Sequence, residues 1–141
     1  MKAVLDTNVL ISGIFFGGVP GKILDAWAER RFEIFVTPSI FDEYAGALQT
    51  FGGKEVDSLR VYWVSAIAEH AHHVLDLRTY PKICRDPDDD KFLYCAVSVK
   101  ADYLVTVSKH SPRNSINIRG HRINFISRVN NNAFRNLRMR F

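Results

Sequence analysis

Acidic side chains are concentrated in one short segment of an otherwise basic chain. The segment ICRDPDDDKFL, residues 83–93, places four aspartates within five positions: Asp86, Asp88, Asp89 and Asp90. Adjacent carboxylates repel one another, so the cluster needs a compensating positive charge. Magnesium and manganese ions prefer oxygen ligands, and the dipole at the start of a helix also stabilises carboxylates. The cluster therefore indicates a divalent-metal site, the acidic start of a helix, or both.

Two further acids lie where they could join that cluster. Asp6 ends the apolar segment KAVLD, and Glu43 falls early in a predicted helix that follows a second predicted strand. Taken alone, Asp6 would be a turn or cap residue and Glu43 a solvated helix residue. A divalent ion needs only a few carboxylates, because phosphates and water complete its shell, and it activates water against a phosphodiester. Asp6, Glu43 and either Asp89 or Asp90 therefore form a candidate site for metal-dependent phosphodiester hydrolysis.

The elements that must position these acids alternate between strands and helices. Short apolar runs predict strands at residues 2–6, 32–37, 74–77, 101–107 and 122–126. Apolar residues at helical spacing predict helices over residues 21–31, 38–51, 54–73 and 89–100. Thr37 can cap the second helix, with Pro38 at its first position. The alternation predicts an α/β fold with a mainly parallel sheet, in which ligand groups collect at the carboxyl ends of strands.

Other conspicuous residues are predicted to have structural roles and not catalytic or metal-binding ones. The glycine-rich segment GIFFGGVPG, residues 13–21, lacks the lysine and spacing of a phosphate-binding loop and is predicted to be a flexible flap beside the first acid. His70 and His73 are expected at the surface or in packing. Cys84 and Cys95 lack the spacing of a zinc site or a redox pair.

Charge is divided unevenly along the chain. Residues 103–141 contain eight basic residues and no acidic residue, whereas residues 1–102 contain the other eleven basic residues and all fifteen acidic ones. An acidic body with a basic C-terminal quarter fits a polyanionic partner such as nucleic acid, although a solvated arginine-rich tail would look the same. The candidate nucleic-acid contacts are Lys109, Arg113, Arg119 and Arg122.

Length and hydropathy exclude several classes of protein. A chain of 141 residues predicts one domain over residues 1–141, and its 47% of hydrophobic residues supports a packed core. No apolar stretch approaches the ~18 residues of a membrane span. Two cysteines make no disulfide framework, which favours a reducing compartment. We therefore expect a soluble cytoplasmic protein with no membrane partner.

Four segments, taken in order, resemble the PIN domains, metal-dependent ribonucleases that include the VapC-type toxins of prokaryotic toxin–antitoxin systems. They are VLDTNVLIS (4–12), TPSIFDEY (37–44), RDPDDDKFLYCA (85–96) and ADYLVT (101–106). The resemblance covers roughly residues 1–126 at family-like spacing. Its first and third segments are specific, and the third is similar to a toxin-component branch of the family. The fold implied is a three-layer α/β/α sandwich with a mainly parallel central sheet.

The resemblance also implies roles for individual residues. Asp6, Glu43 and Asp90 would be catalytic and would bind Mg²⁺ or Mn²⁺, with Asn8 orienting Asp6. Family partners would be an RNA substrate, a small antitoxin protein and a second copy of the chain in a homodimer.

The fourth family motif is altered in this chain. Where the family has Thr-Gly-Asp, the chain has Thr106, valine and Ser108. The family's separation between its third and fourth acids, counted back from Ser108, falls on Asp90, with Asp89 a neighbouring metal-ligand candidate and Asp86 a weaker one. Thr106 or Ser108 would offer only a neutral contact to metal, water or phosphate. The loss of a carboxylate raises the question of whether a second metal binds and whether the site is active.

Three functional hypotheses follow from these residues. The first is a divalent-metal-dependent endoribonuclease that serves as the toxin component of a toxin–antitoxin system. The second is a degenerate, non-catalytic PIN domain that binds RNA or a partner protein through its basic C-terminal segment, about residues 109–141. The third is a phosphatase or phosphotransferase with a nucleophilic aspartate; such enzymes commonly need a second aspartate two residues later, where this chain has Asn8.

Overall fold

Six strands form one sheet in the computed structural model, which describes residues 1–76, 90–106, 115–118 and 120–126. In chain order the strands are β1 (Lys2–Leu5), β2 (Glu33–Val36), β3 (His72–His73), β4 (Tyr103–Val105), β5 (Ser115–Ile118) and β6 (His121–Ile126). Their order across the sheet is β3-β2-β1-β4-β6-β5, and all neighbours are parallel except β5 and β6. The prediction of an α/β fold with a mainly parallel sheet is confirmed.

Five α-helices accompany this sheet in the described part of the chain. They are α1 (Thr7–Phe15), α2 (Gly18–Ala28), α3 (Pro38–Thr50), α4 (Asp57–His70) and α5 (Asp90–Ser98), with a short 3₁₀ turn at Lys54–Val56 before α4. The four helices predicted from apolar spacing are all present. The predicted cap of α3 is also confirmed, because the Thr37 Oγ1 accepts a hydrogen bond from the Ile40 backbone N–H at 3.3 Å.

The segment predicted as a flexible flap is instead mostly helical. Gly13 lies inside α1, and α2 begins at Gly18. A Cβ atom on Gly13 would stand 2.7 Å from the Leu24 Cδ1 and 2.9 Å from the Pro20 carbonyl oxygen. The sharp turn between the helices uses Gly17 at φ 67°. The prediction of a flexible flap was therefore wrong. The glycines permit close helix packing and a tight turn, and glycine content alone does not distinguish these roles from flexibility.

Substitution of Gly13 should test this packing. We expect Gly13→Ala to lower the free energy of unfolding by about 1–3 kcal/mol, because the new methyl group overpacks the contact between α1 and α2. Gly46→Ala is the matched control: Gly46 lies in the interior of α3 with nothing within 4 Å of the added Cβ, and the change should stabilise by about 0.5–1 kcal/mol. Urea denaturation measures both. Equal effects of the two substitutions would contradict this account of Gly13.

Two strands differ from the prediction. The strand expected at residues 74–77 begins earlier, as β3 at His72–His73, and its last residue lies outside the described range. β5 was not predicted; it pairs with β6 in an antiparallel hairpin whose connection includes Gly120 at φ 81°. The sequence expectations for residues beyond 126 and for Cys84 also lie outside the described residues.

Strand β1 runs through the middle of the core. Ala3, Val4 and Leu5 are at most 3% exposed, as expected for a strand covered on both faces of a parallel sheet. One cluster of buried hydrophobic residues extends from Ala3 to Ile123. A single domain over residues 1–141 stays a prediction.

The helices within the described ranges are short compared with the thickness of a bilayer. No single helix there is long and apolar enough to cross a bilayer. Helices α1 and α2 meet the length and composition criteria only as a pair, bent by 95° at their junction. Both contribute buried residues to the core.

Candidate active site

Asp6 lies where β1 ends and α1 begins. Its backbone N–H donates to the Val105 carbonyl at 2.9 Å, so the pairing of β1 with β4 continues to this residue. The residue is also the N-cap of α1, since its Oδ1 accepts from the Asn8 backbone N–H at 2.6 Å. Cap and strand pairing together hold the carboxylate at the carboxyl end of a central strand.

The second oxygen of Asp6 is bonded to the end of β4. The Thr106 Oγ1 donates to the Asp6 Oδ2 at 2.6 Å, and the two residues are only 7% and 6% exposed. Burial of a carboxylate is costly unless hydrogen bonds compensate, and Asp6 has one to each oxygen. Thr106 was predicted as a supporting residue, and its hydroxyl contacts the carboxylate itself. Ser108 lies outside the described residues.

Glu43 is linked by Thr7 to the segment that carries Asp6. Thr7 was not identified from the sequence. The Thr7 Oγ1 donates to the Glu43 Oε1 at 2.6 Å and thereby joins α1 to α3. Thr7 is buried, whereas the Glu43 side chain is 34% exposed. The only sequence signal for Thr7 was its place between Asp6 and Asn8. Asn8 itself is exposed, and its hydrogen bond to Asp6 comes from the backbone.

The other oxygen of Glu43 has a cationic partner. The Lys91 Nζ, from the first turn of α5, donates to the Glu43 Oε2 in an ion pair. Lys91 is 25% exposed, so the pair is partly screened by solvent. Lys91 was likewise not identified from the sequence, although it directly follows the run of aspartates.

Asp90 is the first residue of α5 and is only 6% exposed. A carboxylate at this position interacts favourably with the helix dipole, as the structural interpretation of the cluster expected. Asp86, Asp88 and Asp89 lie outside the described residues. Asp90 and Lys91 are adjacent on α5, so the contact of Lys91 with Glu43 brings the start of α5 next to α3.

Tyr44 is hydrogen-bonded to the backbone at the carboxyl end of β1. Its buried hydroxyl donates to the carbonyl of Leu5, the residue before Asp6. Burial is the main cause that raises the pKa of Tyr44 well above 10.0, and electrostatic interactions with the ionisable groups of Cys95, Asp6 and Glu43 raise it further. The phenol therefore stays protonated and serves as a hydrogen-bond donor.

Cys95 has no nucleophilic character in this setting. It is 1% exposed, and burial, with a contribution from the charge of Asp76, raises its pKa to about 12. A thiol with so high a pKa remains neutral near pH 7, and only a thiolate is a good nucleophile or metal ligand. The expectation that Cys95 does not form a zinc or redox site agrees with this burial.

The histidines of the segment 69–73 make surface contacts. His72 Nε2 lies 3.2 Å from the Glu33 Oε1, and its ring stacks on Phe35. His73 Nε2 lies 3.0 Å from the Ala68 carbonyl oxygen, and His70 is exposed. These contacts agree with the expected surface and packing roles.

Of the four predicted nucleic-acid contacts, Arg122 alone falls within the described ranges; Lys109, Arg113 and Arg119 do not. Arg122 is exposed on β6, and its Nε donates to the Ser115 Oγ at 3.1 Å. Because β6 is parallel to β4 and Asn124 is paired with Tyr103, Arg122 lies at the amino end of these strands. Asp6 and Thr106 lie at the opposite, carboxyl end.

The predicted acids are linked only indirectly, because Glu43 is bonded to Thr7, which follows Asp6, and to Lys91, which follows Asp90. Among the residues that the structure describes, no three Asp, Glu, His or Cys side chains are grouped so that they could hold one metal ion. The donor chemistry nevertheless suits magnesium or manganese, since Asp6, Glu43 and Asp90 offer carboxylate oxygens alone. The Glu43 carboxylate is paired with a cation, the ammonium group of Lys91.

Comparison with known proteins adds two kinds of relative. The uncharacterized protein MJ1680 of Methanocaldococcus jannaschii is 34% identical over 107 residues, which cover 72% of this chain and 67% of that protein. The crystal structure of VapBC2 from Rickettsia felis, bound to a DNA fragment from its promoter, contains a chain similar in fold. The TM-score is 0.54 at 13% identity, over 77% of this chain and 89% of that one.

The structural similarity supports the fold alone at so low an identity, and it agrees with the predicted PIN-like α/β/α sandwich. The sequence also matches a family model described as a PIN domain, over residues 2–110. That span contains all three predicted acids and includes the elements β1 to β4. The chain therefore belongs to the PIN domain family.

Proposed function

We propose that this PIN domain is a divalent-metal-dependent endoribonuclease whose catalytic residues are Asp6, Glu43 and Asp90. The observation that carries the proposal is the state of Asp6, a buried carboxylate held by one hydrogen bond to each oxygen at the carboxyl end of β1. Such fixed geometry is what a metal ligand needs, because supporting hydrogen bonds orient the ligand and limit its motion. PIN domains are generally nucleases that use divalent metals, which supports the same reading.

Each residue has a separate part in the proposed mechanism. A Mg²⁺ or Mn²⁺ ion bound there would supply positive charge to the phosphodiester and lower the pKa of attacking water. Asp6 would be the fixed ligand, oriented by Thr106 and by the backbone of Asn8. Glu43 would be a more mobile ligand, since it is one-third exposed.

The start of α5 would supply the remaining ligands. Asp90 would complete the set of three acids from its buried position, and Asp89 is a further candidate ligand. Ser108, which stands where the family has its fourth acid, would give a neutral contact to metal, water or phosphate.

The proposed partners are RNA, a small antitoxin protein and a second copy of the chain. The basic residues Lys109, Arg113, Arg119 and Arg122 would contact the RNA backbone, as the charge of residues 103–141 suggests. Arg122 would contact a part of the RNA distant from Asp6, because it lies at the opposite end of the strands. The similarity in fold to a chain of a VapBC complex supports a toxin component with a small antitoxin partner. We also propose a homodimer that acts in the cytoplasm.

A degenerate PIN domain is the second candidate. Two structural observations favour it: Glu43 is paired with Lys91, and no three potential ligands are grouped in the described part of the chain. Such a protein would bind RNA or a partner protein without cleaving it. The loss of the fourth acid at Ser108 points the same way.

Removal and return of metal separates the two candidates. We expect the protein to cleave RNA in Mn²⁺, to lose that activity in excess EDTA and to regain it when Mn²⁺ is restored. The measurement is the appearance of discrete fragments from a structured RNA, with a sample taken through the same purification but carrying Asp6→Asn as the contamination control. RNA binding without cleavage in either Mg²⁺ or Mn²⁺ would favour the degenerate binder.

A further inference from the structure

We propose that Lys91 is an internal counterion that competes with the divalent ion for the Glu43 carboxylate. The inference rests on the proposed function, because it assigns a regulatory contact to one of the proposed metal ligands. In the form without metal, the ammonium group would hold Glu43. Entry of the ion would require that group to leave.

The contacts of Glu43 carry the inference. Its Oε1 accepts from the Thr7 hydroxyl, and its Oε2 pairs with the Lys91 ammonium group. Both oxygens therefore have partners, and only the Oε2 partner carries positive charge. A divalent ion at this carboxylate would stand close to the ammonium group, and two like charges at short range in a partly buried site repel strongly.

The character of the pair allows such an exchange. Lys91 and Glu43 are 25% and 34% exposed, so the ion pair is partly solvated and contributes little to stability. Lysine is a flexible point charge with three donors, and its head group can move to solvent without disturbing the backbone. Thr7, by contrast, is buried and neutral, and its hydrogen bond to Glu43 can persist beside a metal ion.

The position of Lys91 next to Asp90 connects its proposed exchange with the metal ion to the third proposed acid. Lys91 directly follows Asp90 on the first turn of α5, while Glu43 lies on α3. The ion pair therefore places the start of α5, with Asp90, next to the part of α3 that carries Glu43.

Mn²⁺ calorimetry on full-length variants tests the competition. Lys91→Met keeps the length of the side chain and removes the charge, and we expect it to bind Mn²⁺ about three- to tenfold more tightly than the wild type. Lys91→Arg keeps the charge and should bind like the wild type. Lys54→Met is the control for net charge, since Lys54 is exposed in the 3₁₀ turn beyond the end of α3.

A double substitution shows whether the effect passes through Glu43. In a Glu43→Gln background, Lys91→Met should give no further gain in Mn²⁺ affinity, because the carboxylate for which the two cations compete is gone. An equal gain in that background would overturn the proposal. The effect of Lys91 on Mn²⁺ affinity would then be long-range electrostatic repulsion and not competition for Glu43. Circular dichroism of each variant checks that the fold is retained.

The outcomes for this proposal and for the proposed function are distinct. Unchanged or weaker Mn²⁺ binding by Lys91→Met, together with wild-type binding that Asp6→Asn abolishes, would overturn the role of Lys91 and leave the metal site standing. Absence of Mn²⁺ binding in the wild type and in Lys91→Met alike would contradict the metal site itself, and the competition with it.

Discussion

Asp6→Asn should abolish metal-dependent RNA cleavage and leave the fold intact. The substitution removes the negative charge of the most fixed carboxylate in the site and keeps nearly the same shape. Loss of a residue that only supports a metal ligand commonly costs 10–100-fold in affinity or activity, so loss of the ligand charge should cost at least about 100-fold. Initial rates of RNA cleavage in Mn²⁺ measure the effect, and Mn²⁺ calorimetry measures the loss of binding.

The fold should survive because asparagine can take over the structural contacts of Asp6. Asparagine caps helices about as well as aspartate, and its amide oxygen can accept from the Asn8 backbone N–H. Its other side-chain atom would face the Thr106 hydroxyl, which can also accept a hydrogen bond. Asp25→Asn, at an exposed position on α2, is the matched control and should cleave like the wild type. Full activity in Asp6→Asn would reject the assignment of Asp6 as a metal ligand.

Leu93→Ala should be among the most destabilising single changes in this chain. Leu93 is 1% exposed on α5 and belongs to the buried core cluster, so truncation loses apolar burial and leaves a cavity. Leucine-to-alanine changes in such positions cost about 2–5 kcal/mol. The free energy of unfolding from urea titration is the measured quantity.

The same substitution at an exposed leucine provides the control. Leu75 is 85% exposed, and Leu75→Ala should change the free energy of unfolding by no more than about 0.5 kcal/mol. Comparable losses at the two positions would show that α5 does not depend on core packing through Leu93. Because Asp90 and Lys91 lie on the first turn of the same helix, a destabilised α5 should also weaken Mn²⁺ binding.

Local patterns in the sequence were sufficient for most of the fold. The strands β1, β2 and β4 and the helices α2 to α5 follow runs of apolar residues whose spacing is set within each segment. Thr37 acts as the predicted cap because its hydrogen bond is to a residue only three positions away. Asp6 was recognised for a similar reason, as an acid directly after a strand in a segment typical of PIN domains.

Packing between distant segments determined the features for which the sequence prediction was wrong or incomplete. Most of the glycine-rich segment 13–21 is helical. Gly13 lets α1 pack closely against Leu24 and Pro20 on α2, a contact that no local pattern reveals. The hairpin of β5 and β6 depends on cross-strand pairing, and the position of Arg122 depends on the register of β6 against β4.

The sequence by itself determined the family, most of the strands and helices, and the acids proposed for the candidate site. Only the tertiary structure decided what those acids contact. Glu43 meets Thr7 and Lys91 across separations of 36 and 48 residues, and Tyr44 meets Leu5 across 39. Such partners are chosen by how helices pack against the sheet, whereas propensity and periodicity act over a few residues. For this reason the ion pair that holds Glu43 was invisible in the sequence, although both of its residues stand inside recognisable motifs.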